Sequence, residues 1–300
     1  MQNHARLNLS AGLLSVSVAI VLVVAKLWAL GQTGALSVAA SLADSGLDLM
    51  ISLGGLMAII YAARPADDEH AFGHGSAEDL AALGQALFVL ISAFVIGWSA
   101  VARLRSDAPP VLMAEGRGMV VMALSIVLTL ALITYQRRVA RRTGNKVVAA
   151  DSLHYASDMI PTVGAILSLW ASARFGLVAI DSVVALGAAM LLTIGALRIG
   201  KSAWDALMDR GAPPEMLRGI EDIATGWPGV FGIHDLKTRT AGSQVFVNLH
   251  IELDGTQSLN EAHAIGAALR RAILKAYPQA SVIIHQDPVG TQHHPDDPSK

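Results

Sequence analysis

Cysteine is absent from this chain. That removes disulfides and thiolate metal sites together, so any metal must be held by His, Asp, Glu or water. Charge is scarce as well: 15% of the 300 residues are charged and 53% are apolar, whereas a soluble domain carries about 25% charged residues. The formal net charge of −2 argues against nucleic acid as a partner. No HExxH stretch occurs, which removes the usual membrane metalloprotease reading. The N-terminus lacks a cleavable-signal pattern, because its first apolar run is too long for a signal core and no small-residue cleavage site follows it.

The apolar residues that are present are gathered into runs. About 20 are needed to cross a hydrocarbon core, and six such spans fit, near 10–30, 35–62, 80–104, 112–136, 147–173 and 178–200. Residues 8–63 carry few charges, while 201–300 have ordinary soluble composition. The organisation expected is a six-helix membrane domain over 1–208, a soluble domain over 209–290, and a disordered tail over 291–300 that includes His293 and His294. The segment 137–146 holds five basic residues, and Arg64, Arg198 and Lys201 fall on the same side. The positive-inside rule then puts both termini and the soluble domain in the cytoplasm. Lys26, near one end of the first span, is expected to snorkel to the interface.

Pro213 and Pro214 mark the boundary. Beyond them a helix fits 213–226 and a strand fits 230–240. Residues 242–254 alternate, with Val245, Val247, Leu249, Ile251 and Leu253 on one face and Phe246, Asn248, His250 and Glu252 on the other. A helix over 259–276 and a strand over 280–288 complete an α-β-β-α-β unit of α+β type.

Three groups of residues carry chemistry. Asp44 and Asp48 lie in the second span, His154 and Asp158 in the fifth, each pair four apart. That spacing leaves both side chains on one helical face, and a carboxylate at mid-membrane depth costs about 2.5–3.5 kcal/mol. Facing pairs would supply three carboxylates and one imidazole, a shell for a divalent first-row metal. Asp151 lies off that face and is expected to be solvated or to cap its helix. Pro161 is expected to loosen the fifth span. Between spans two and three, Asp67, His70 and His74 sit within eight residues, with Gly73 and Gly75 permitting a tight loop. In the soluble domain His234, His250, His263, His285 and Asp287 suggest one or two metal ions. The stretch GALRIGKS (195–202) matches the phosphate-loop pattern, but at the end of an apolar helix its amides are already bonded, so no nucleotide is expected.

With these residues in place, the chain resembles the cation diffusion facilitator family, and within it the bacterial ferrous-iron and zinc efflux branch. The resemblance covers nearly the whole length. D-x-x-x-D and H-x-x-x-D in spans two and five match the family's transport site, on Asp44, Asp48, His154 and Asp158. The loop RPADDEHAFGHG matches the branch's loop site, on Asp67, His70 and His74. A cytoplasmic binuclear site is implied on His234, His250, His263, His285 and Asp287, within a metallochaperone-like fold. Relatives carry a Lys directly after the HG of the loop, paired across the dimer with an Asp after span six. Ser76 occupies that position, although the acid Asp209 is present, so the dimer would lean on apolar packing and the cytoplasmic domain.

The expected function is export of a divalent cation, Zn²⁺ or else Fe²⁺ or Cd²⁺, against protons, by a homodimer in the bacterial inner membrane. Like charges in low dielectric drive an empty site to take up protons, and metal must displace them. Metal in the cytoplasmic domain would be structural and regulatory. Two other classes stay open: a metal-sensing membrane protein without transport, and an intramembrane metal-dependent hydrolase, for which no extra general base or substrate pocket is evident.

Overall fold

In a computed structural model, residues 2–33, 36–105, 116–159 and 180–290 are described. The membrane unit is helical: α1 (Gln2–Thr33), α2 (Leu36–Ala62), α3 (Ser76–Leu104), α4 (Gly116–Thr143), α5 (146–159) and α6 (Ile180–Leu207). Stretches of α1, α2, α3 and α6 are long and apolar enough to cross a membrane. Pro161 and the rest of the fifth expected span lie outside the described residues. The tail over 291–300 does too.

Beside apolar clusters around Leu132 and Leu192, the membrane unit buries ionisable side chains and exposes large apolar ones. Leu13, Trp28, Met57, Phe94, Trp98 and Met190 are exposed, while Asp48, Asp79, Gln136, Asp151 and His154 are buried. Lipid tails are as apolar as leucine, so helices gain little by hiding such side chains from them, and packing of small residues and interhelical polar contacts take over. Gly55 shows the first: a Cβ there would come within 2.9 Å of Gln85 and 3.2 Å of Val147. Lys26 shows the second. Its ammonium donates to Ser45 Oγ on α2 at 2.6 Å, so it turns inward to a neighbouring helix instead of snorkelling outward. The phosphate-loop look-alike at 195–202 lies wholly inside α6, where its amides belong to the helix.

The C-terminal unit contains α7 (Pro214–Thr225), β1 (Gly232–Ala241), β2 (Gln244–Leu253), α8 (Leu259–Ala276) and β3 (Ala280–Pro288). Its sheet has the order β1-β2-β3, antiparallel between β1 and β2 and parallel between β2 and β3. A parallel neighbour demands a crossover, which α8 supplies. The alternation in β2 is realised: Val245, Val247, Leu249, Ile251 and Leu253 are all buried and pack with Ile220, Leu269 and Ile273 from α7 and α8. Each large apolar side chain so buried contributes about 1.5–3 kcal/mol.

A capping box starts α8. Ser258 Oγ accepts from the Glu261 amide, and the Glu261 carboxylate accepts from the Ser258 amide at 2.8 Å. These bonds hold the Glu261 carboxyl below its ordinary range, the Ser258 hydroxyl contributing most. Loss of an N-cap costs about 1 kcal/mol. Ser258→Ala should therefore shift the urea midpoint of a 209–290 fragment downward at neutral pH. Since the carboxyl is lowered in the fold, its share of stability is present above the unfolded value and disappears as acidification passes the lowered one. Chemical denaturation at neutral pH and at successively lower pH checks both statements.

Candidate metal centres

The donors come together in three clusters. In the membrane unit, His154 Nε2 on α5 lies 3.2 Å from Asp48 Oδ1 on α2 and 3.7 Å from Asp158 Oδ2, one turn further along α5. Phe88 of α3 stands edge-on to the imidazole at 5.4 Å between ring centres, closing one side with an apolar wall. The Ser157 hydroxyl lies 3.2 Å from Asp158 Oδ1. Asp44 falls on α2 one turn before Asp48, and its side chain lies outside the described residues.

The loop after α2 folds on Asp67. Its Oδ1 accepts the backbone amides of His70 at 2.7 Å and Glu69 at 3.1 Å, which draws the carboxyl below its ordinary range; the His70 amide is the largest cause. The same carboxylate faces both imidazoles, His70 Nδ1 at 3.4 Å and His74 Nε2 at 3.3 Å. Gly73 takes a φ of 83°, a left-handed conformation that glycine adopts without steric cost. It turns the chain so that His74 comes back beside His70, with ring centres 4.6 Å apart. The Tyr61 ring packs 4.6 Å from that of His74, a contact at the end of α2 that the loop motif did not reveal.

In the C-terminal unit, strand register builds the third cluster. His234 is opposite His250, and His250 is opposite His285, so three imidazoles form a row across the sheet. Asp287 reaches into the row from β3. Its Oδ2 lies 3.0 Å from His250 Nδ1 and 3.4 Å from His234 Nε2, and its Oδ1 lies 3.2 Å from His285 Nε2. The two oxygens thus face different imidazoles, an arrangement suited to bridging two ions. A bulge follows His234, with Asp235 at a φ of 48°; it lets His234 face its neighbour while β1 continues. Two carboxylates that sequence reading did not single out border the row. Glu252 Oε1 is 3.4 Å from His234 Nδ1, and Asp235 Oδ2 is 3.9 Å from His250 Nε2. His263 is exposed on α8 and makes no described contact with the row.

The donor chemistry fits a divalent ion. Zinc bonds of about 2.0–2.2 Å at tetrahedral angles set donor atoms about 3.3–3.6 Å apart. The imidazole–carboxylate separations in the clusters, from 3.0 to 3.7 Å among the candidate ligands, bracket that edge. In each cluster three ligand atoms lie within 4.8 Å of one another.

Asp151 departs from expectation. It is neither solvated nor a cap but 5% exposed, accepting from Ser15 Oγ at 2.6 Å and Gln136 Nε2 at 2.5 Å. Its partners come from α1 and α4, which periodicity along the fifth span alone does not disclose.

Comparison with known proteins follows the same division of the chain. Residues 12–208 match the cation efflux transmembrane domain, and residues 212–289 match the cytoplasmic domain of cation efflux proteins. The cation-efflux pump FieF of Klebsiella pneumoniae is 40% identical over 287 residues, covering 96% of this chain and 95% of that protein. FieF of Pectobacterium atrosepticum is 42% identical over the same length, with the same shares covered. Among solved structures, the metal-bound C-terminal domain of a CzcD transporter from Thermotoga maritima is 29% identical, covering 26% of this chain and 93% of that one, with a TM-score of 0.26. Matched along nearly all its length, the chain is a multi-pass membrane protein that belongs to the cation efflux, or cation diffusion facilitator, family of transporters.

Proposed function

We propose that this chain is a homodimeric exporter of a divalent transition-metal ion in a bacterial inner membrane, with both termini in the cytoplasm, exchanging metal for protons. The observation that carries the reading is the set of buried Asp48 and His154 with half-buried Asp158, to which Asp44 is added as the fourth ligand. One imidazole and carboxylate oxygens suit Zn²⁺, and Fe²⁺ or Cd²⁺ by the same donors; no thiolate is present to favour Cu⁺. Family membership supports a transporter and not an enzyme, which removes the hydrolase reading.

The proton coupling follows from what these side chains must do when empty. His154 Nε2 faces two carboxylates, Asp48 at 3.2 Å and Asp158 at 3.7 Å, and a bare cluster of anions in lipid is unstable. A proton on the imidazole compensates the aspartates in the empty site. A metal ion needs the neutral imidazole as ligand and so expels that proton. Release of metal on the far side restores the demand for protons.

The loop set Asp67, His70 and His74 and the cytoplasmic row His234, His250, His285 and Asp287 serve as structural and regulatory sites. His263 has no place in this row within one chain and joins the ligand set only as the fifth donor that the family pattern implies. A regulatory ion acts by binding one arrangement of the cytoplasmic domains more tightly than another. A sensor that never passes ions is the second reading, favoured by the separate metal-like row in the C-terminal unit.

Two experiments test this. Proteoliposomes containing only this protein should move Zn²⁺ under a proton gradient, and Asp158→Ala should lower the flux at least about 10-fold, as loss of a metal ligand or its support does. Unaltered flux in that variant would remove the transport site; absence of flux in the wild type would leave the sensor. In the second, calorimetric titration of residues 209–290 with Zn²⁺ should show binding weakened at least about 100-fold by Asp287→Ala, beyond the loss typical of an outer-shell partner. Equal affinity in the two fragments would refute the bridging role of Asp287.

A further inference from the structure

Asp151 belongs to none of the three ligand sets, yet it is the centre of a buried polar layer that joins four helices. Its Oδ2 accepts from Ser15 on α1 and Gln136 on α4. The Ser15 hydroxyl lies 3.0 Å from Ser52 Oγ on α2, and Ser52 lies 2.9 Å from the Tyr155 hydroxyl on α5. The single Ser15 hydroxyl hydrogen serves either Asp151 Oδ2 or Ser52 Oγ, and the Ser52 and Tyr155 hydroxyls pair with each other. Every member of this layer is 5% exposed or less.

The layer sits against the ion site. Ser52 is one turn beyond Asp48 on α2, and Asp151 is one turn before His154 on α5. The two helices run in opposite directions here, so the polar layer and the ligand layer lie side by side, about 5–6 Å apart along the axes. An apolar layer would fill the same space without placing a carboxylate in lipid. What apolar side chains cannot do is set the axial position of one helix on another: leucine packs nearly as well after a small slide, whereas a buried polar contact does not survive it.

We propose that Asp151 is a positioning residue for ion transport. By gathering donors from α1 and α4, with the hydroxyl run bringing in α2, it fixes the axial register of α5 against α2. That register sets the 3.2 Å between His154 and Asp48. The inference rests on the reading of Asp48, His154 and Asp158 as the ion site.

The test uses full-length protein in proteoliposomes, in a background carrying Asp67→Ala and Asp287→Ala so that the loop and cytoplasmic clusters do not bind. Zn²⁺ flux against concentration and equilibrium Zn²⁺ binding are measured for Asp151→Leu and Asp151→Asn in protein that elutes as the parent does. Leucine, which accepts no hydrogen bond, should raise KM and Kd about 10–100-fold, the range for loss of an outer-shell partner, with kcat changed much less. Asparagine keeps an acceptor oxygen and should recover most of that loss. Unaltered KM and Kd in the leucine variant overturn the proposal. So does an asparagine variant as impaired as leucine, which would mean that the charge itself is used. Should the leucine variant not fold, Ser15→Ala and Tyr155→Phe take its place; each should raise KM, and parental KM in both overturns the proposal. Asp158→Ala in the same background separates the two readings, because parental flux there sinks the ion site itself, whatever Asp151 does.

Discussion

A neutral imidazole buried in an apolar bundle with two carboxylates at 3–4 Å cannot remain as it is; a positive charge has to be shared among them. Water would screen such a set on a protein surface, but His154 is 2% exposed, and screening fails there. The 3.2 Å between His154 and Asp48 suits a hydrogen bond from a protonated imidazole and also an edge of a tetrahedral donor set. In the proposed exchange, proton and metal would compete for that one place. The surrounding helices have to hold the donors at a spacing that serves both occupants.

That requirement explains the polar residues buried in the membrane unit. Ser15, Ser52, Gln136 and Asp151 are buried beside apolar clusters that include Leu22, Leu132 and Leu192, while Trp28, Trp98, Met57 and other large apolar side chains face outward. Hydrogen bonds between helices substitute geometric definition for hydrophobic stabilisation, which lipid does not supply.

Much of this was legible from residue spacing. The four-residue pairs in two spans were recognisable because helical periodicity puts both members on one face. The β2 segment announced itself through strict alternation. What stayed hidden depended on partners distant in sequence. Nothing near Asp151 indicates Ser15 or Gln136, 136 and 15 residues away, so a carboxylate off the ligand face reads as solvated or capping. Lys26 reads as snorkelling for the same reason, since Ser45 is a common and uninformative residue. Glu252 and Asp235 escaped notice because only the bulge and the strand register bring them beside imidazoles. His263 stands apart on α8, because the strand register of one chain gathers the other four donors without it.

The register of the C-terminal sheet has a consequence for assembly. β3 joins β2 only after the chain has passed through α8, so the histidine row draws on strands whose members, from His234 to Asp287, span most of the unit. Pairing partners so far apart in sequence carries a loop-closure cost, and without β3 the carboxylate that faces all three imidazoles is missing. The row is thus hostage to the last strand: a break in the chain before β3 would take away His285 and Asp287 together.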